Sequence, residues 1–135
     1  MIVLTGGAGF IGSCVLAKLN TEGHQKILVV DNLAKSEKWR NLQGKRFENY
    51  LHKDEFLSQI VSSSFSDKVQ AVIHLGACSS TTETDAEYMM RNNYAFSRKL
   101  AEWSLSKGAR FIYASSAATY GAGEQGFVDN EAELE

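Results

Sequence analysis

Met1-Ile2-Val3-Leu4-Thr5-Gly6-Gly7-Ala8-Gly9-Phe10-Ile11-Gly12 is the stretch on which the fold of this chain turns. A short apolar run rich in β-branched residues meets a glycine cluster and passes directly into an apolar helical pattern. That order predicts strand, tight turn and helix. At Gly6, Gly9 and Gly12, backbone without Cβ lets a pyrophosphate come close, and free N–H groups at the helix start point at it. Glycines also serve plain turns. Their place at the first strand–helix junction is what favours a dinucleotide site.

Working outward, Ile11, Val15, Leu16 and Leu19 repeat at helical spacing, and Asn20 to Gly23 close that helix. Lys26 to Asp31 is a continuous apolar run ending in a carboxylate, the pattern of a strand covered on both faces. A charged segment, Lys35 to Arg46, follows, with a helical pattern near Ser36 to Leu42. Phe47 to Leu51 reads as a third strand. Lys53 to Val61 reads as a helix burying Phe56, Leu57, Ile60 and Val61, and Val69 to Leu75 as a strand. From Thr84 a long helical pattern places Tyr88, Met89, Asn92, Phe96, Leu100 and Trp103 on one side and closes at Lys107 and Gly108. Arg110 to Ser115 is the fifth strand. The alternation predicts an α/β fold, a Rossmann-type doubly wound parallel sheet with strand order 3-2-1-4-5. Its ligand crevice lies beyond the carboxyl ends of the strands, at the switch between strands 1 and 4.

The bulk properties restrict the function class. At 135 residues, 44% hydrophobic and 22% charged, the chain has the make-up of one soluble globular domain. A net charge of −2 offers no basic field for nucleic acid or an anionic membrane, and no apolar run is long enough to span a bilayer. Cys14 and Cys78 show neither metal spacing nor a disulfide framework, so no metal site is expected and a reducing cytoplasm is the expected compartment.

The strand ends carry the chemistry. Asp31 stands about 20 residues beyond the glycine turn, where a carboxylate accepts hydrogen bonds from an adenosine ribose. The alternative is a loop carboxylate capping the next helix. A carboxylate here favours NAD, but Lys35, Lys38, Arg40, Lys45 and Arg46 crowd the following segment and offer partners to a 2′-phosphate, so both cofactors stay open on these grounds. After the fourth strand, His74-Leu75-Gly76-Ala77-Cys78-Ser79-Ser80-Thr81-Thr82 is a run of mostly small residues that lets backbone approach a ligand. His74 reads as a structural histidine rather than a base, and Cys78 as a packing residue rather than a nucleophile. The Ser79–Thr82 hydroxyls meet a ligand or cap the long helix. Asn92 and Asn93, poor helix formers in mid-run, point to a specific polar contact, one candidate being the backbone at a neighbouring strand's end. The serines after the fifth strand either bond a substrate oxygen or form a turn.

Thr5-Gly6-Gly7-Ala8-Gly9-Phe10-Ile11-Gly12, Val30-Asp31-Asn32-Leu33, Val72-Ile73-His74-Leu75-Gly76-Ala77 and Ser115-Ser116-Ala117-Ala118-Thr119-Tyr120-Gly121 together resemble the extended short-chain dehydrogenase/reductases that act on nucleotide sugars. Within them, Gly76-Ala77-Cys78-Ser79-Ser80-Thr81-Thr82-Glu83, Tyr88-Met89-Met90 and Asn92-Asn93-Tyr94 look like the epimerases that invert C6 of an ADP-linked glycero-manno-heptose on the way to lipopolysaccharide core. The resemblance covers the N-terminal portion of such an enzyme. It implies that Phe10 and Ile11 lie on the cofactor pyrophosphate and that Asp31, Asn32 and Lys38 hold the adenosine end. With Lys38 on a 2′-phosphate, the cofactor implied is NADP. Lys53, the backbone of Leu75, Gly76, Ala77, Cys78 and Ser79, and Asn92 complete the shell, and Ser116 matches the family's catalytic serine. It also implies an ADP-sugar substrate and a homo-oligomer. A different nucleotide-sugar epimerase or dehydratase, or a free-standing dinucleotide-binding module, are the alternatives.

One departure limits the expectation. The family needs a Tyr-x-x-x-Lys pair, in which the lysine lowers the tyrosine's pKa. Here Tyr50 is followed four on by Asp54, Tyr88 by Asn92, Tyr94 by Arg98, Tyr113 by Ala117 and Tyr120 by Glu124. None fits. The expectation is a dinucleotide-binding domain over residues 1–120, which binds cofactor without epimerising. An acidic tail over 121–135 leads towards an absent substrate part, and is expected to be poorly ordered or to pair with another copy.

Overall fold

The computed structural model describes residues 1–124, 126 and 127. In chain order the elements are β1 (Ile2–Thr5), α1 (Phe10–Thr21), β2 (Ile27–Asp31), a 3-10 turn (Glu37–Leu42), β3 (Asn49–His52), α2 (Lys53–Val61), β4 (Ala71–His74), α3 (Ala86–Met89), a π-helical segment (Met90–Ala95), α4 (Phe96–Ser106), β5 (Arg110–Tyr113) and a 3-10 turn (Ala117–Tyr120). The five strands form one parallel sheet in the order β3-β2-β1-β4-β5, as the alternation predicts. In register, Thr5 stands beside Val30 on one side and His74 on the other, so these three strands end together. The acidic-tail expectation falls chiefly on residues outside those described.

Strand periodicity sorts the core into two layers. Ile2, Leu4, Ile27 and Val29 face α1 and pack with Leu16. Val3, Leu28, Val30 and Val72 face the other way, onto Phe56 and Ile60 of α2 and Phe96, Leu100 and Trp103 of α4. The centre of that layer is a triangle of Phe56, Phe65 and Trp103, with ring centroids 5.4–5.5 Å apart and planes nearly perpendicular. Edge-to-face contacts of this kind match the positive ring edge to the negative face.

The helical patterns needed three corrections. Ile11 fits the apolar repeat of α1 yet is 64% exposed, and Val61 is 62% exposed at the end of α2. Both lie at helix termini, where the chain leaves the sheet and the core-facing stripe runs out. The long helix begins at Ala86 rather than Thr84 and is not uniformly α. Asp85 caps it by accepting from the Tyr88 N–H at 2.8 Å, so the Ser79–Thr82 run is not its cap. Its end is as expected: Lys107 is the C-cap after Ser106 and Gly108 takes φ +64°.

Candidate functional site

At the carboxyl edge of the sheet lies a cavity of about 510 Å³, between the glycine turn, the loop after β2 and the loop after β4. Gly6, Gly9, Phe10, Ile11 and Gly12 line one wall, with Asp31, Asn32 and Lys38 at one end. Leu75, Gly76, Ala77 and Ser79 form the opposite wall, and Lys53 and Asn92 reach in from α2 and the π-helical segment. The structure thus brings together all but two of the residues expected at the site. Cys78 and Ser116 do not line the cavity.

The glycines are required by contact, not only by conformation. Gly6 has φ +69°, and a Cβ on it would stand 2.7 Å from the Gly76 nitrogen and the Leu75 carbonyl carbon. A Cβ on Gly12 would lie 2.1 Å from the Gly6 carbonyl oxygen. Real Cβ atoms do not come so close to backbone, so α1 sits on the turn, and the turn on the β4 loop, only because these positions are bare. Gly9 caps α1 without a side chain, and the first-turn residues Phe10, Ile11 and Gly12 face the cavity. Phe10 is 82% exposed at its mouth. This is a cradle with the shape and amide polarity that an anionic pyrophosphate requires.

Asp31 is buried and heavily engaged. Its Oδ2 accepts from the Ala8 N–H at 2.9 Å, and its Oδ1 accepts from the Asn32 N–H at 2.7 Å and from Lys38 Nζ at 2.9 Å. It caps no helix; Ser36 caps the 3-10 turn, accepting from the Lys38 N–H. The Lys38 ammonium offsets the carboxylate charge that would otherwise repel a phosphate nearby.

Across the cavity, Lys53 Nζ donates to Asn92 Oδ1 at 2.5 Å and stands 5.7 Å from the Tyr88 ring centroid. Partial burial, with Cys78 and Glu83 alongside, raises the Tyr88 phenol above its usual range. Asn92 Nδ2 donates to Asn93 Oδ1 at 2.9 Å. Asn93 grips the Cys78 backbone at both ends: the Cys78 N–H donates to Asn93 Oδ1 at 2.8 Å and Asn93 Nδ2 donates to the Cys78 carbonyl at 2.9 Å. The polar contact expected of this asparagine pair is therefore made by Asn93 to the loop after β4, while Asn92 bonds Lys53 and Asn93.

His74 is structural, as read from the sequence. It is 3% exposed, with Nδ1 2.5 Å from Thr5 Oγ1 and Nε2 2.7 Å from Ser97 Oγ. Thr5 Oγ1 also accepts from the Gly76 N–H at 3.2 Å. Hydrogen bonding is most complete with the Thr5 hydroxyl donating to Nδ1 and Nε2–H donating to Ser97. Burial lowers the imidazole to about 4, so it is neutral near pH 7. Ser116, read from the sequence either as bonding a substrate oxygen or as forming a turn, follows β5 by three residues and accepts from the Ala118 N–H at 3.2 Å, capping the last 3-10 turn. Cys14 and Cys78 are unpaired, and among the described residues no three His, Cys, Asp or Glu side chains converge on a metal site. Tyr94 and Arg98, the nearest approach to the missing pair, are both exposed, with the guanidinium 6.0 Å from the ring.

Thr5, Val30, Tyr88, Phe96 and Ala114 also line the cavity and were not singled out from the sequence. Thr5 carried a usable signal, since it ends β1 one residue before the turn. Tyr88 stands four residues before Asn92, hence on the same helical face.

The model of the family described as "NAD dependent epimerase/dehydratase family" matches residues 2–135, and the chain belongs to that family. It is 52% identical over 134 residues, 99% of its length, to the ADP-L-glycero-D-manno-heptose-6-epimerase of Nitratidesulfovibrio vulgaris strain DP4. That stretch is 42% of the relative, so the chain spans about two fifths of the length of the curated relatives it matches. Among solved structures it is similar to the UDP-Glc/GlcNAc 4-epimerase of Campylobacter jejuni, with TM-score 0.78 and 28% identity over 99% of this chain and 42% of that one. It is also similar to the Bordetella bronchiseptica enzyme WbmG in complex with NAD and UDP, with TM-score 0.69 and 27% identity, covering 89% of this chain and 38% of that one.

Proposed function

We propose, with membership of the NAD dependent epimerase/dehydratase family as the premise, that this chain is the cofactor-binding portion of an epimerase that inverts C6 of an ADP-linked glycero-manno-heptose, using NADP. The observation that carries the reading is the bare-backbone contact of Gly6 with Gly76 and of Gly12 with Gly6, set at the mouth of a 510 Å³ crevice. The sugar is argued from the 52% identity to a relative of that name.

In this reading the first-turn amides of α1 meet the pyrophosphate, Lys53 supplies a countercharge and the Leu75–Ser79 backbone lines the nicotinamide half. Asp31 and Asn32 hold the ribose, and Lys38 leaves Asp31 to pair with the 2′-phosphate. A nicotinamide bound there would supply reversible hydride exchange with the sugar carbon, the chemistry by which the centre would invert without net redox. Ser116 is proposed, from the family resemblance, as the hydroxyl that contacts the sugar. No tyrosine here has a lysine four residues on, so no side chain of this chain is set up as the acid and base of that step, and the chain alone is proposed to be inactive. The parent enzyme is proposed to work in the cytoplasm as a homo-oligomer, on the route to lipopolysaccharide core heptose.

Titration of NADPH and NADH against the purified chain tests the cofactor assignment. The expected result is tighter binding of NADPH, with Lys38→Ala weakening NADPH about tenfold and NADH about twofold or less. Binding of neither would overturn the site. An equal loss for both would overturn the role of Lys38.

A further inference from the structure

Ala8, at the crest of the glycine turn, is fully buried, and side chains from the end of β2 and from the turn after it take both of its backbone groups. Its N–H donates to Asp31 Oδ2 at 2.9 Å, and its carbonyl accepts from Asn41 Nδ2 at 2.9 Å. Asn41 lies on the same 3-10 turn as Lys38, 33 residues beyond Ala8. A trans peptide sets its C=O and N–H in opposite directions, so holding the Ala8 carbonyl also aims the Gly9 amide. That amide donates to the Gly6 carbonyl at 3.0 Å, and Gly9 is the residue from which α1 starts. The Gly6 oxygen is, in turn, the atom against which bare Gly12 rests. One exposed side-chain amide therefore sets the peptide plane at the head of the helix. Asn41 does not itself line the crevice.

We infer that Asn41 is a positioning residue of the dinucleotide site, holding the start of α1, through Ala8, in the orientation that meets a pyrophosphate. The inference rests on the dinucleotide reading above and deepens it. The 3-10 turn after β2 then has two duties: Lys38 serves the adenosine end directly, and Asn41 sets the pyrophosphate end through Ala8. A tether that only stabilised the loop would weaken every ligand of the crevice alike. A positioning residue acts selectively on ligands that reach the helix start.

Two substitutions separate these roles in the chain as it stands. Asn41→Leu keeps the bulk and removes the donor; Asn41→Gln keeps an amide donor. Each is titrated with NADPH, NADH and adenosine 2′-monophosphate, which reaches the adenosine end but carries no pyrophosphate, with thermal melting measured alongside. Asn41→Leu is expected to weaken both dinucleotides about five- to tenfold and the monophosphate less than about twofold, and Asn41→Gln to recover part of the loss. Unchanged dinucleotide binding, an equal loss across the three probes, or an equal loss in both variants would overturn the inference while leaving the site reading in place. A folded wild-type chain that binds neither dinucleotide would overturn the site reading, and the inference with it.

Discussion

Asn93 holds the peptide of Cys78 as a neighbouring strand would, accepting from its N–H at 2.8 Å and donating to its carbonyl at 2.9 Å. The sheet ladder stops at His74, four residues earlier, so the loop that walls the crevice would otherwise run without a partner there. A single side-chain amide continues the pairing beyond the sheet.

Removing that amide leaves two partly buried backbone groups without their bonds. Asn93→Ala is expected to cost about 2 kcal/mol. Asn93→Asp, which can still accept but no longer donates to the carbonyl, should fall between wild type and Asn93→Ala above the carboxyl's pKa. Urea denaturation of the three proteins, compared by midpoint at constant slope, checks the order.

Gly12→Ala places a methyl where the Gly6 carbonyl oxygen stands, at 2.1 Å. Helix and turn must move apart, at about 2–3 kcal/mol. The displaced helix start should also weaken NADPH binding about tenfold or more. Gly44→Ala is the control. Unlike Gly12 it has positive φ, and it meets nothing within 4 Å, so it should lose stability through backbone strain alone and keep the affinity.

His74 makes stability depend on pH in a stated direction. Its folded-state value of about 4 lies below the ordinary 6.5 because burial disfavours the charged ring. Between those values the unfolded chain binds the extra proton. The stabilisation is complete above about pH 6.5 and is lost as pH falls towards 4, by up to about 3 kcal/mol. Denaturation midpoints between pH 4 and 7 should show this slope in the wild type and a flatter one in His74→Gln. Parallel curves would refute it.

Ala34 takes φ +45°, a left-handed conformation that a side chain makes costly, in the loop between Asp31 and Lys38. Its N–H donates to Asn32 Oδ1 at 3.1 Å, which holds it there. Ala34→Gly should relieve the strain, offset in part by a more flexible unfolded chain, for a net gain of about 0.5 kcal/mol. A lower melting temperature would show that the strain is not felt.

The expectations that failed share one origin. Ile11 satisfies the period of α1 but stands at its first turn, beyond the edge of the sheet that would have covered it. Val61 does the same at the end of α2. Periodicity reports the direction of a side chain from its helix, not whether anything lies opposite. The π-helical turn at Met90–Ala95 was beyond reach for a related reason. Two adjacent asparagines signal a polar demand, but only the packed structure shows that Asn93 meets the loop after β4 while Asn92 meets Lys53 and Asn93.

By itself the sequence determined the order of elements, the parallel sheet and the location of the crevice. It did so because strand and helix periods, bare glycines and strand-end carboxylates are local requirements that few residues can meet. Only the tertiary structure decided that Asp31 is shared between Ala8, Asn32 and Lys38, that Asn41 reaches back to the turn, and that Ser116 caps a turn rather than lining the cavity. Each of these turns on which of several chemically equivalent partners lies within about 3 Å. Distance between residues far apart in the chain is set by packing the whole sheet and its helices. The twelve residues that announce the site therefore contain only part of the bonding that holds it in shape.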